Sequence, residues 1–239
     1  MTYRKHFIPL ESNPGLFTKL IHQLGVSTAL SFHDIWSLDD PELLSLVPRP
    51  VLAFVLVFPT PSDYEDRLAK ESDAAVHRGK SKDVIWFKQT IHNACGLYGI
   101  LHAVANGRAR DFIVPGSHLF HLLDKCASLD PADCAAVLEN DAELEAKYTS
   151  VAVLGDTEAP ENPEDEVYFH YVCFAKSHHT SNLFLLDGNR HGPVDKGLLT
   201  EDDLLCKQGI EAIKEFIDDY DNEGNFSLLA LAPSSDPAT

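Results

Sequence analysis

Residues 86–102 read WFKQTIHNACGLYGILH. From Ala94 to Ala105 the chain is almost free of charge. A helix with no polar face has to be buried, so the rest of the fold is expected to wrap around it. Asn93 is a natural N-cap for a helix that starts at Ala94. Cys95 then sits in the first turn, where the helix dipole favours negative charge and a thiolate, the reactive form of cysteine, is stabilised. Gly96 would leave room beside the sulfur for a substrate backbone. Gln89, six residues earlier, can offer an amide N–H to a developing oxyanion. The same residues also fit a small buried thiol on an apolar helix, because free cysteine is commonly buried.

The bulk of the chain limits the alternatives. Its 239 residues are 44% apolar and 23% charged, enough for one large core without covalent staples. Thirty-seven acids against 19 bases give a net charge of −18. Nothing there offsets nucleic-acid phosphates, so no nucleic-acid partner is expected. Acidic surfaces steer basic partners, although charge of this size also serves solubility alone. The five cysteines, Cys95, Cys126, Cys134, Cys173 and Cys206, are odd in number and show no C-x-x-C spacing. That points to a reducing compartment, the cytoplasm or the cytoplasm and nucleus. No apolar run reaches membrane-span length, so no membrane association is expected, and the N-terminus lacks a signal-peptide block. No metal-ligand spacing or nucleotide-binding loop is present, so neither metal nor cofactor is expected. The working unit is taken as a monomer.

Helix and strand patterns alternate without a linker, which reads as one α/β domain over 1–232 with a flexible tail at 233–239. Asn13, Pro14 and Gly25 mark the cap, first residue and stop of a helix. LSFHDIWS is a short strand. The run VLAFVLVF (51–58), bounded by prolines, fits a strand covered on both faces. A helix and loop are expected over 60–82, an extended piece at 84–87, and helices at 117–126, 131–148 and 204–219. NFSLLALAP closes the sheet. The stretch GDTEAPENPEDE (155–166) cannot bury itself, and loops of that length are usually functional.

A second constellation lies in a hairpin. VYFHYVCFA, KSHHTS and NLFLLDG read as strand, turn and strand. A turn centred between His178 and His179 sets His170 directly opposite Asp187, on one sheet face. A carboxylate beside an imidazole fixes its tautomer and stabilises its cation. A one-residue slip would separate them, and an incidental cross-strand pair satisfies the same pattern. His178 and His179 are expected to be solvated in the turn, His92 exposed, and His102 a structural core histidine.

The segment from Gln89 through Asn93-Ala-Cys95-Gly96 to His102-Ala-Val-Ala105 resembles the active-site signature of the ubiquitin C-terminal hydrolase family. Every specified position matches. PLESNP near the start, DPELLSLVPRPV (40–51), TEAPENPEDE and LFLLDGNRHGPV (183–194) resemble further family blocks, so the likeness spans the chain. It is strongest to the short, single-domain subgroup. The resemblance implies a papain-like α/β fold, with a central antiparallel sheet flanked by helices and a knotted backbone. It places Cys95 as nucleophile, His170 as general base and acid, Asp187 as its orienting carboxylate and Gln89 as oxyanion donor. It implies a crossover segment at about 150–166 that limits leaving groups to small adducts or short peptides on ubiquitin's C-terminal glycine. Leu10, Glu11 and Asp34 fall where the family contacts ubiquitin and its basic tail. Two other readings stay open: hydrolysis of a NEDD8-type modifier, and a ubiquitin-binding, stabilising protein with little turnover. A general papain-like peptidase would need an open cleft, which the crossover opposes.

Overall fold

The computed structural model describes residues 3–70, 83–157, 167–220 and 225–235. In chain order the elements are β1 (Lys5–His6), α1 (Pro14–Leu24), β2 (Leu30–Asp34), α2 (Pro41–Ser45), β3 (Ala53–Pro59) and α3 (Tyr64–Lys70). Then come β4 (Ile91–His92), α4 (Cys95–Ala105), α5 (His118–Cys126), α6 (Pro131–Glu139) and α7 (Ala142–Ala152). β5 (Phe169–Lys176), β6 (Asn182–Leu186), β7 (Val194–Leu198), α8 (Lys207–Tyr220) and β8 (Ser227–Pro233) complete the chain.

Six strands form one sheet in the order β2-β8-β3-β5-β6-β7, antiparallel at every pairing. This is the flanked antiparallel sheet that the sequence led us to expect. β3 lies at its middle, paired to β8 on one side and β5 on the other. Six of its seven residues are buried, because both faces of the sheet are covered. Ala53, Val55, Val57, Tyr171 and Cys173 join the core formed with α1, α4, α5 and α7. Phe54, Leu56, Phe58, Val172 and Phe174 join the opposite core with α3 and α8. Successive residues of a strand point to opposite faces, so one continuous apolar run serves both layers.

α1 follows its sequence signals. Asn13 Oδ1 accepts from the N–H groups of Gly15 (2.9 Å) and Leu16 (3.3 Å), a cap of about 1 kcal/mol. Gly25 ends the helix at φ +105°, a conformation that only glycine adopts without strain.

Three expectations are corrected. The helix expected over 131–148 is two, α6 and α7, because Asp141 caps a new start by accepting from Leu144 N–H at 2.9 Å. α4 begins at Cys95, not Ala94. Its N-cap is Ala94, and Asn93 takes a left-handed φ of +57°. Residues 84–87, expected to be extended, lie outside any strand or helix. The hairpin register differs too. Cys173 pairs with Leu186 and Lys176 with Leu183, so each partner lies two residues later than expected and the turn centres between His179 and Thr180. Ser177 causes the shift: its Oγ accepts from His179 N–H (3.0 Å) and Thr180 N–H (2.9 Å), stabilising a four-residue turn.

The loop expected at 155–166 lies outside the described residues from 158 onward, as does the 71–82 part of the 60–82 segment. The expected tail begins held rather than free. Ser234 N–H bonds Ala29 O at 2.9 Å, and its hydroxyl donates to Thr28 O at 2.7 Å. Residues 236–239 lie outside the described part.

Candidate active site

Cys95 is the first residue of α4 and is half-buried against the core. Ala94 makes no side-chain cap, so no cap oxygen occupies the amide N–H groups of the first turn. Those groups form an electropositive end suited to an anion. Gly96 does not open space for substrate, as its small size suggested. A Cβ there would stand 3.2 Å from Leu10 Cβ and 3.5 Å from Tyr171 Cε2. Glycine at 96 instead lets the N-terminal segment at Leu10 pass close over the helix start.

His170 enters from the start of β5 and is 5% exposed. Its Nε2 lies 2.7 Å from Oδ1 of Asp187, which is fully buried just past the end of β6. With Nε2 engaged, Nδ1 is the remaining ring nitrogen, and the nearby Cys95 favours the charged form of the ring. The two-residue register shift moves Asp187 off the position directly opposite His170. Being an even shift, it keeps both on one face, so the pair survives diagonally.

One long-range contact and two local ones complete the carboxylate's surroundings. Tyr64 of α3 donates its hydroxyl to Asp187 Oδ2 at 2.6 Å. The backbone N–H of Asn189 donates to Oδ1 at 2.8 Å. Arg190 Nε stands 3.5 Å from Oδ2, and its Nη2 donates to the Tyr220 hydroxyl at 3.1 Å. Phe58 and Tyr64 pack against the His170 ring at 6.1 and 5.6 Å. Burial pushes the Asp187 carboxyl up, but the charge and hydrogen bond of His170, with Arg190 and Tyr64, outweigh it and hold it well below the carboxylate range. Burial likewise pulls His170 down, yet Asp187 and then Cys95 reverse this, so the imidazole keeps its proton well above its usual range. Tyr64 stays protonated, since burial and then the Asp187 charge disfavour its phenolate.

Gln89 lies on a segment lashed to the end of β6. Trp86 Nε1 donates to Asp187 O (2.9 Å), Gln89 N–H to Gly188 O (2.9 Å), and Lys88 Nζ to Asn189 O (3.0 Å) and Arg190 O (3.1 Å). Gly188 permits this approach, because a Cβ there would fall 2.7 Å from Gln89 Cβ and 3.1 Å from its backbone N. The Gln89 side chain is buried, with Nε2 donating to Ile91 O at 3.2 Å and Oε1 unpartnered. One network thus ties Gln89, Asp187 and His170 together, and Cys95 follows Gln89 by six residues.

The remaining candidates are placed unevenly. Leu10 is 3% exposed, and its carbonyl accepts from the Tyr171 hydroxyl at 2.9 Å, so its side chain packs inward beside Gly96. Glu11 accepts from Thr157 N–H at 2.7 Å, which holds its carboxyl below the usual range. It therefore anchors the start of the expected crossover segment. Asp34 ends β2, half-buried, with burial raising its carboxyl. His102 is fully buried, stacks on Phe87 and accepts from Phe87 N–H at 2.9 Å; burial pushes it down to about 4. That is the structural role expected. His178 and His179 are exposed in the turn, as expected, and His178 Nδ1 lies 3.0 Å from Gly107 O. His92, expected to be exposed, is half-buried. A cavity of about 500 Å³ lined by Trp86, Phe87, Cys126, Cys134 and His178 lies away from this chemistry; neither Cys95 nor His170 lines it.

A thiol at a helix start, beside a buried imidazole–carboxylate pair carried on an antiparallel sheet, is the donor set of a cysteine hydrolase. The family model for ubiquitin carboxyl-terminal hydrolase, family 1, matches residues 7–218, and the chain belongs to that family. It is 36% identical over 225 residues to a ubiquitin carboxyl-terminal hydrolase of Drosophila melanogaster, covering 93% of this chain and 96% of the relative. Identity is 34% over 237 residues to the Saccharomyces cerevisiae ubiquitin carboxyl-terminal hydrolase YUH1, covering 95% and 96%. The fold resembles the catalytic domain of Trichinella spiralis UCH37 bound to ubiquitin vinyl methyl ester, with TM-score 0.75, 26% identity and 97% coverage of both chains.

Proposed function

We propose that this protein is a deubiquitinating thiol hydrolase that removes small adducts or short peptides from the C-terminal glycine of ubiquitin. The observation that carries the reading is the buried His170–Asp187 pair at 2.7 Å, with Cys95 opening α4, in a chain of this family.

The chemistry follows from the arrangement. His170 already holds the proton as imidazolium, and the Cys95 thiolate sulfur bonds to the glycine carbonyl carbon. The carbonyl oxygen takes the negative charge, held by the Cys95 backbone N–H and by Gln89 after its amide turns from Ile91 O. His170 then donates its proton to the leaving amine or thiol as the bond to it breaks. Water, deprotonated by His170, attacks the thioester and releases the glycine carboxylate and the free thiol. Asp187 keeps the imidazole in the required tautomer throughout. Every group needed comes from side chain and backbone.

The five cysteines are all free, which fits a cytoplasmic or nuclear monomer working in a reducing compartment. The anchor from Glu11 to Thr157 supports a crossover that begins over the site and admits only small or unfolded leaving groups.

The test is release of a fluorescent amine from the C-terminus of ubiquitin, with wild type and Cys95→Ala in parallel. The reading requires turnover by wild type and none by the variant. Wild type that binds ubiquitin without turnover would establish the stabilising role instead. The same amide of a NEDD8-type modifier, and an unrelated peptide amide, measure the breadth of substrate.

A further inference from the structure

We propose that His6 and His92 form a two-imidazole site for a divalent transition metal of the Ni²⁺, Co²⁺, Cu²⁺ and Zn²⁺ class. β1 and β4 pair in parallel with His6 opposite His92, and Phe7 N–H bonds His92 O at 3.0 Å, fixing the two backbones. The two rings are neighbours, with centroids 5.2 Å apart and planes tilted at 52°. Two imidazoles bound to one metal at about 2.0–2.1 Å, with a near-tetrahedral angle, stand roughly 5 Å apart centre to centre.

His6 Nε2 lies 3.4 Å from Tyr3 O, so it carries the proton and Nδ1 presents its lone pair. A backbone carbonyl on the far nitrogen is the usual partner of a metal-bound histidine. His6 Nδ1 and His92 Nε2 are both buried, with no hydrogen-bond partner among the described residues. Buried ring nitrogens are normally satisfied, and two unsatisfied ones on paired, neighbouring histidines have a common explanation in a shared ligand. Imidazole pairs select borderline transition metals over Ca²⁺ or Mg²⁺, and the net charge of −18 favours any cation. Among the described residues no group of three or more His, Cys, Asp or Glu could hold a metal. The pair is therefore an open site whose other positions water would fill. Because His92 lies three residues before Cys95, an ion there would pin the N-terminal strand to the chain entering α4.

The test uses Cys95→Ala, so that the thiol cannot compete. Titration with Ni²⁺ by calorimetry should show one ion per chain, weakened at least ten-fold by His6→Gln and by His92→Gln and unchanged by His118→Gln or His178→Gln. Cu²⁺ electron paramagnetic resonance on the same protein should show two equatorial imidazole nitrogens, one after either substitution. Ni²⁺ should raise the melting temperature of Cys95→Ala and not that of its His6→Gln derivative. Melting without metal checks that each variant folds, and if His92→Gln does not, His6→Gln and the nitrogen count decide. Absence of binding, or binding that survives both substitutions, overturns the proposal.

Discussion

Tyr64 donates its hydroxyl to Asp187 Oδ2 at 2.6 Å, across 123 residues of sequence. The bond lies wholly inside the protein and fixes the carboxylate that fixes His170. Hydrogen bonds to charged groups contribute about 1.5–3 kcal/mol. Tyr64→Phe should lower the unfolding free energy by about that much. It should reduce kcat on a ubiquitin C-terminal amide by about ten-fold with little change in KM. An unaltered kcat would show that His170 and Asn189 suffice to hold Asp187.

Asp187 is the main reason that His170 keeps its proton against burial. Leaving-group protonation needs that proton, so the alkaline limb of the pH–rate profile should lie above the usual imidazole range. Asp187→Asn keeps the shape and removes the charge. The limb should move to lower pH and the plateau should fall. A limb that stays in place would assign it to another group.

Gly188 has no side-chain freedom to spare, because the atoms a Cβ would strike are Gln89 Cβ and backbone. Gly188→Ala should displace Gln89 and cost about 1–3 kcal/mol of stability through overpacking. It should also lower kcat by ten-fold or more while ubiquitin binding persists. Full activity in a destabilised variant would separate Gln89 from the chemistry.

His102 is buried neutral, with its pKa pushed down to about 4, against roughly 6.5 when unfolded. Between these values the unfolded chain binds the extra proton. Its contribution is fully present above about pH 6.5 and is lost as pH falls toward 4. The full difference is about 3 kcal/mol at most. Urea midpoints at pH 7 and pH 4.5 should fall further for wild type than for His102→Gln. Equal falls would place the acid sensitivity elsewhere.

The sequence showed what depends on near neighbours and hid what depends on distant ones. Asn13, Pro14 and Gly25 fixed α1 because caps act within a turn. The buried run at 51–58 located β3 because its composition suits a two-sided environment. His170 and Asp187 were brought together from hairpin symmetry with a turn centre misplaced by one residue, and the pair survived only because the resulting shift was even. Ser177, whose hydroxyl sets that turn, carried no signal of its own. β7 was missed because VDKGL is polar and mostly exposed. β1 and β4 span two residues each, too short for any period. Tyr64 and Trp86 beside Asp187 were invisible, since each is brought there by tertiary packing. Asn93 looked like a cap by residue type, yet its left-handed backbone turns the chain so that Cys95 opens the helix.

β8 lies between β2 and β3, although it is the last strand made. During synthesis the two halves of the sheet must wait, unpaired along β8's place, until residue 233 has left the ribosome. The chain therefore cannot complete its fold domain-fashion from the N-terminus as it emerges. Its long-range pairing is paid for in one late step. A nascent chain arrested before β8 would expose the edges of β2 and β3 together, the kind of surface that chaperones hold and that aggregates when they do not.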